Sequence, residues 1–127
     1  MQAKIRPASS DDIESIVEIE NSTNLMPWTK AQFISSMEVG HYSTVLEHAE
    51  TIIGFAIYSP IIPESHLLNI AIDPAYHRKG LGDKLLKQVI LQNKAVGVKV
   101  INLEVRVSNS VGLPSRLKKP PGILPAA

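Results

Sequence analysis

The sequence predicts a single α/β (α+β) domain built on a mixed central sheet flanked by helices. Three observations lead there. The chain has 127 residues, 44% of them hydrophobic, which is enough for one core and too little for two. Its hydrophobic period switches between helical and alternating, giving the order β-α-α-β-β-β-α-β. A nearly continuous apolar run, residues 65–73, lies between a hairpin pattern and an amphipathic helix pattern, as suits a strand covered on both faces.

Each element has its own signal. Lys4-Ile5-Arg6 reads as a short strand stopped by Pro7. Ser9, Ser10, Asp11 and Asp12 supply cap residues and acids for a helix start. Ile13, Ile16, Val17 and Ile19 form an apolar face, and Glu14, Glu18 and Glu20 read as a solvated one. Residues 21–27 break that helix. Thr29 caps a second, with Ala31, Phe33, Ile34 and Met37 inward and Gly40 as the stop. Residues 41–48 and 51–58 read as strands joined across Ala49-Glu50. Pro60 and Pro63 mark a loop. After the run at 65–73, Pro74 ends the strand. Residues 80–93 form an amphipathic helix with Leu81, Leu85, Val89 and Ile90 inward, closed by Gly97. Residues 98–107 are a further strong strand.

Composition narrows the function. There are no cysteines, which excludes disulfides, thiolate-bound zinc and a cysteine nucleophile. No metal site is expected, since His41, His48 and His66 lack ligand spacing. The net charge of +1 does not favour nucleic-acid binding. No run reaches the ~18 apolar residues of a membrane span, and the first ten residues lack a signal-peptide core. A cytoplasmic protein is expected. The charge is unevenly spread. No acid follows Glu104, while Arg116, Lys118 and Lys119 lie in the last fourteen residues, so residues 1–113 carry a net −2. Those fourteen residues also hold four of the nine prolines. The expected division is a domain at 1–113 and an irregular Pro/Lys-rich tail at 114–127.

The segment that carries chemistry is Asn69 to Gly82, NIAIDPAYHRKGLG. It sets a buried strand, a tight loop and a helix start in succession. Gly80 and Gly82 let backbone approach a ligand, and a helix N-terminus offers unpaired N–H groups and a favourable dipole. That combination suits a pyrophosphate, with Arg78 and Lys79 adding positive charge. An ordinary strand-to-helix turn has the same glycines. The Walker pattern is absent, because Asp83 follows Gly82, and the dinucleotide fingerprint is absent, because Leu85 stands at its third glycine.

The segment resembles motif A of the GNAT acetyltransferases, Q/R-x-x-G-x-G/A, with His77 where glutamine or arginine is usual. The resemblance runs from about residue 3 to 112. It includes Ile5-Arg6-Pro7-Ala8, Asp11-Asp12-Ile13, and Leu103-Glu104-Val105-Arg106-Val107-Ser108-Asn109. Met26-Pro27-Trp28-Thr29 and the L-E-V-R-x-S-N run are similar to the bacterial ribosomal-protein-alanine N-acetyltransferases within that family. The resemblance implies the GNAT (acyl-CoA N-acyltransferase) fold, acetyl-CoA as co-substrate and a ribosomal-protein N-terminus as acceptor. It implies that the backbone of Ile70, Ala71 and Ile72 pairs with the pantetheine arm as an added strand. The Ile72 N–H would polarise the acetyl carbonyl. Arg78, Lys79, Gly80, Leu81, Gly82 and Asp83 would wrap the pyrophosphate, and Asn109 would reach the cofactor from the next helix start. Glu104 would be the general base. A carboxylate inside the apolar stretch 98–107 needs a reason, and proton removal from an α-amine is one. Pairing with Arg106, or facing solvent, is the alternative. Trp28 has two readings, the peptide cleft or the core.

The tail departs from the family. Its helix pattern after Ser-Asn, S-N-x-x-A-I-x-L-Y-x-x-x-G-F, is replaced after Gly112, and Arg116 stands at the tyrosine that would protonate the leaving thiolate. A thiol pKa of ~8.5 makes thiolate a tolerable leaving group without it. The expectation is a chain truncated relative to intact members, without the last two strands and with strand 98–107 open at its edge for self-association. Two alternatives accompany the acetyltransferase reading: a catalytically weak or inactive CoA-binding module, and a GNAT acting on a small-molecule amine.

Overall fold

The computed structural model describes residues 2–103 and the backbone of residues 123–125. Six strands form one sheet in chain order: β1 (Lys4–Pro7), β2 (Tyr42–His48), β3 (Thr51–Ile61), β4 (Glu64–Ile72), β5 (Val100–Leu103) and β6 (Ile123–Pro125). All neighbours are antiparallel except β4 and β5, which are parallel. Among the described residues three α-helices flank the sheet: α1 (Ile13–Thr23), α2 (Lys30–Glu38) and α3 (Leu81–Ala95).

The sheet divides the core in two. On one face Leu81, Leu85, Leu86 and Val89 of α3 pack on Leu46, Ile53, Ala56, Leu67, Ile70 and Ile72. On the other, Ile16 and Ile19 of α1 and Phe33 of α2 pack on Val45, Ile52, Phe55, Ile57 and Ala71. The central strands are therefore covered on both sides, which is why they read as continuous apolar runs. Phe33 meets Phe55 edge-on at 5.7 Å and Trp28 at 5.1 Å. Ala31, expected inward, is exposed at the first turn of α2.

Local chemistry fixes the ends of the elements. Thr29 Oγ1 accepts from Gln32 N (3.2 Å) and Gln32 Oε1 accepts from Thr29 N (2.7 Å), a reciprocal cap for α2. Arg6 donates to both carboxylate oxygens of Asp12 (2.8 and 2.9 Å) and to Glu47 (3.0 Å), tying β1 and β2 to the turn that starts α1. Ala49 and Glu50 both have positive φ (50° and 64°), the mirror-image turn that matches strand twist in a two-residue hairpin.

Two expectations change here. The loop at Pro60–Pro63 is shorter than its prolines imply. β3 runs through Pro60, which pairs with Ser65, and only Ile62 and cis-bonded Pro63 lie between the strands. Pairing with β2 ends at Tyr58, so Pro60 has a free edge and its missing N–H breaks no ladder there. The tail is also not irregular throughout. Residues Ile123–Pro125 pair with Val100–Asn102 and cover that edge of β5.

Candidate active site

β4 is the strand on which the site is built. Its first half, Glu64 to Leu67, pairs with Val100 to Leu103 of β5. From Leu68 to Ile72, among the described residues, it pairs with β3 alone. The β3 register passes from Ile57↔Asn69 to Tyr58↔Leu67, so Leu68 is an extra residue and β4 carries a bulge there. Bulges re-aim side chains next to functional sites. Here Leu68 and Asn69 both serve the face of α1 and α2: Leu68 packs against that cluster and Asn69 Nδ2 donates to Glu20. Ile70, Ala71 and Ile72 follow, each buried in side chain.

Gly54 lets β3 come close to this segment. A Cβ at Gly54 would lie 2.6 Å from Ile72 Cδ1 and 3.1 Å from the Ala71 carbonyl oxygen. Beyond Ile72 the chain turns sharply. Asp73 N donates to Ile53 O (2.8 Å), and Asp73 Oδ1 accepts from Ala75 N (2.9 Å) to cap a 3₁₀ turn at Pro74–Tyr76. His77 Nε2 is 2.7 Å from the Ile72 carbonyl oxygen; a carbonyl can only accept, so the ring donates. A donor is what glutamine or arginine would also bring to this position.

Arg78 then adopts a left-handed backbone (φ 64°), and Gly80 caps α3 in the same region (φ 75°). Gly80 has open space around its missing Cβ, so the backbone angle alone calls for glycine. Left-handed geometry at an arginine costs about 1–2 kcal/mol, a strain that clusters at ligand sites. The turn delivers the first-turn N–H groups of α3, outside the helical ladder, to the end of β4. Arg78 and Lys79 are exposed beside them. Leu81 is 5% exposed, so only its backbone can serve a ligand. Asp83 pairs with Lys87 at 2.7 Å, which offsets a negative charge near an anion site. The loop, helix start and cations fit a diphosphate, and the reach of β4 that has only β3 as partner among the described residues fits an extended amide chain.

Ile70, Ala71, Ile72, Arg78, Lys79, Gly80, Leu81, Gly82 and Asp83 thus form one continuous ribbon from the bulge to the first turn of α3. Glu104, Asn109 and Arg116 lie outside the described residues; Glu104 is the next residue after Leu103 of β5. The ring of Trp28 packs on Phe33, and Trp28 also lines a cavity with Ser36, His41 and Leu68.

Glu20 corrects the sequence reading. It is not on a solvated face but fully buried. Its Oε2 accepts from Trp28 N (2.9 Å), Asn69 Nδ2 (3.0 Å) and Asn24 Nδ2 (3.3 Å). A signal was available: Glu20 falls seven residues after Ile13 and four after Ile16, on the apolar stripe of α1.

Among the described residues no helix is long and apolar enough to cross a membrane. Residues 13–113 match the model of the acetyltransferase (GNAT) family. The chain is 39% identical over 99 residues to the [ribosomal protein bS18]-alanine N-acetyltransferase of Haemophilus influenzae, covering 78% of this chain and 68% of that protein. It is 34% identical over 100 residues to the protein of the same name from Haemophilus ducreyi, covering 79% and 69%. The crystal structure of the ribosomal-protein-S18-alanine N-acetyltransferase from Escherichia coli superimposes with a TM-score of 0.78 at 32% identity, over 86% of this chain and 70% of that one. An N-acetyltransferase from Thermoplasma acidophilum in complex with coenzyme A shares the fold, with a TM-score of 0.72 at 19% identity over 81% of this chain and 79% of that one.

Proposed function

The chain belongs to the acetyltransferase (GNAT) family, and on that premise we propose that it acetylates the N-terminal alanine of a ribosomal protein with acetyl-CoA. The observation that carries the reading is the ribbon itself. A bulged strand, paired on one side only beyond Leu67 among the described residues, runs into a glycine-capped helix start flanked by two exposed cations. The relatives at 34% and 39% identity support the alanine acceptor, since both are named for that activity on bS18.

Bound acetyl-CoA supplies an acetyl thioester whose carbonyl an amine can attack. The chain's own residues do the rest. The first-turn N–H groups of α3, with Arg78 and Lys79, hold the diphosphate charge. Main-chain groups of Ile70, Ala71 and Ile72 take the pantetheine amides. Asn109 adds a contact to the cofactor. Glu104 accepts the proton that the α-amine must lose. An α-amine has a pKa near 7.7–8.0, so most acceptor molecules arrive protonated at neutral pH and a base is needed to take the proton. The reaction takes place in the cytoplasm, where ribosomal proteins are made.

The test is mass spectrometry of a peptide bearing the bS18 N-terminus, incubated with acetyl-CoA and the full chain. Acetylation at the α-amine, reduced about 10²-fold or more in Glu104→Gln, is expected. No product above the enzyme-free level would refute the reading. Equal rates for the two proteins would remove Glu104 from it.

A further inference from the structure

The geometry points to Glu20 as a positioning residue for the acceptor, an inference that rests on the acetyltransferase reading. Glu20 is 0% exposed, and its Oε1 has no hydrogen-bond partner among the described residues. A buried acidic side chain on an otherwise apolar stripe costs stability unless it organises something. What it organises is visible in the donors on Oε2. Trp28 N belongs to the residue that precedes the cap of α2, Asn24 follows the end of α1, and Asn69 follows the β4 bulge. One oxygen therefore joins α1, the 24–28 loop and β4.

The joint has a consequence for shape. Trp28 and Leu68 line the same 360 Å³ cavity, together with Ser36 and His41. Glu20 holds Trp28 by its backbone and Leu68 through the next residue, so it sets the spacing of the two walls. The ring of Trp28 is separately held by Phe33. Above the clamp, Leu25 and Met26 are 91% and 73% exposed, an apolar pair presented on a loop whose base is fixed.

Direction along β4 says which substrate meets this wall. A chain anchored at residues 78–82 and laid back along Ile72, Ala71 and Ile70 ends toward Asn69 and Leu68. The acceptor must arrive where that chain ends, on the bulge side. The cofactor contacts lie beyond Asn69 and do not involve Glu20. Loss of the clamp should therefore weaken the acceptor and spare acetyl-CoA.

The experiment uses the full chain with two substitutions. Glu20→Met keeps length and removes the acceptor oxygen. Glu20→Gln keeps an oxygen that can take the place of Oε2. Steady-state kinetics with the bS18 N-terminal peptide should show KM raised about tenfold or more in Glu20→Met, with kcat and the acetyl-CoA Kd within about twofold. Glu20→Gln should restore KM to within about threefold of the parent. Amide hydrogen exchange gives a second reading without turnover: the Trp28 amide should exchange faster in Glu20→Met and at the parent rate in Glu20→Gln. Unchanged KM and unchanged Trp28 exchange in Glu20→Met overturn the inference. So does a Glu20→Gln protein that behaves like Glu20→Met, or a parallel loss of acetyl-CoA affinity. If Glu20→Met has no cooperative melt, Asn69→Leu removes one donor and is judged by the same KM and Kd criteria. A parent protein that acetylates nothing refutes the functional reading instead, and Trp28 exchange then decides the clamp alone.

Discussion

Replacing Gly54 with alanine puts the close approach of β3 to the end of β4 under direct test. The new Cβ would stand 2.6 Å from Ile72 Cδ1, 3.1 Å from the Ala71 carbonyl oxygen and 3.5 Å from Leu46 Cβ. Ile72 is 1% exposed, so its terminal methyl has no empty space to move into. Overpacking of this kind costs about 1–3 kcal/mol. Alanine recovers about 0.5–1 kcal/mol of the backbone entropy that glycine loses in a strand. The net expectation is a loss of about 1–2 kcal/mol, or roughly 3–10 °C in Tm for a chain of this size. Ile72→Val alone removes the offending methyl and costs about 0.5–1.5 kcal/mol as a small cavity. In the double variant the methyl and the new Cβ no longer collide, so the two losses should sum to more than the double loss, by about 1 kcal/mol. Urea denaturation of the four proteins gives the cycle. Additive losses would show that β3 and β4 are not held at this distance by Gly54. Gly54 pairs with Ile72 in register, so acetyl-CoA affinity should fall in Gly54→Ala and recover in the double variant.

Two further perturbations probe charge and strain. The Arg6 guanidinium, hydrogen-bonded to Asp12, holds that carboxyl below its ordinary value of 3.8. A depressed carboxyl stabilises the fold above its ordinary value and loses the effect as pH falls through the folded one. Asp12→Asn should therefore be less stable than the parent by about 1–3 kcal/mol near pH 6, and the gap should narrow as pH falls below 3.8 in thermal melts; a gap constant with pH would refute the pairing. Arg78→Gly releases the left-handed backbone and should raise stability by about 1 kcal/mol, while calorimetry should show acetyl-CoA binding weakened about fivefold for the lost cation. Stability that falls would mean that Arg78 is not strained there.

Most of the architecture was legible because each element carried its own period. The run at 65–73 announced a strand covered on both faces, and Gly80 with Gly82 announced a helix start open to a ligand. Boundaries failed where a local signal had a non-local answer. Pro60 reads as a strand breaker, yet it is harmless beyond the last β2 partner. Residues 123–125 are too short to show a period, and only pairing with β5 makes them a strand. The candidate ribbon was likewise legible at Arg78, Lys79, Gly80 and Gly82, while nothing local marked the bulge at Leu68 or the left-handed Arg78.

By itself the sequence determined the order of elements, the two-sided burial of the central strands and the place of the glycine-capped turn proposed to hold an anion. These follow from neighbours a few residues apart, whose spacing selects helix, strand or turn. Only the tertiary structure decided that Glu20 is buried and bound to Trp28, Asn24 and Asn69. It also decided that Gly54 is crowded by Ile72 and that β4 is paired on one side beyond Leu67 among the described residues. The physical reason is the same in each case. Burial, close approach and unpaired edges depend on which distant segments arrive alongside, and no pattern within one segment encodes its neighbours in space.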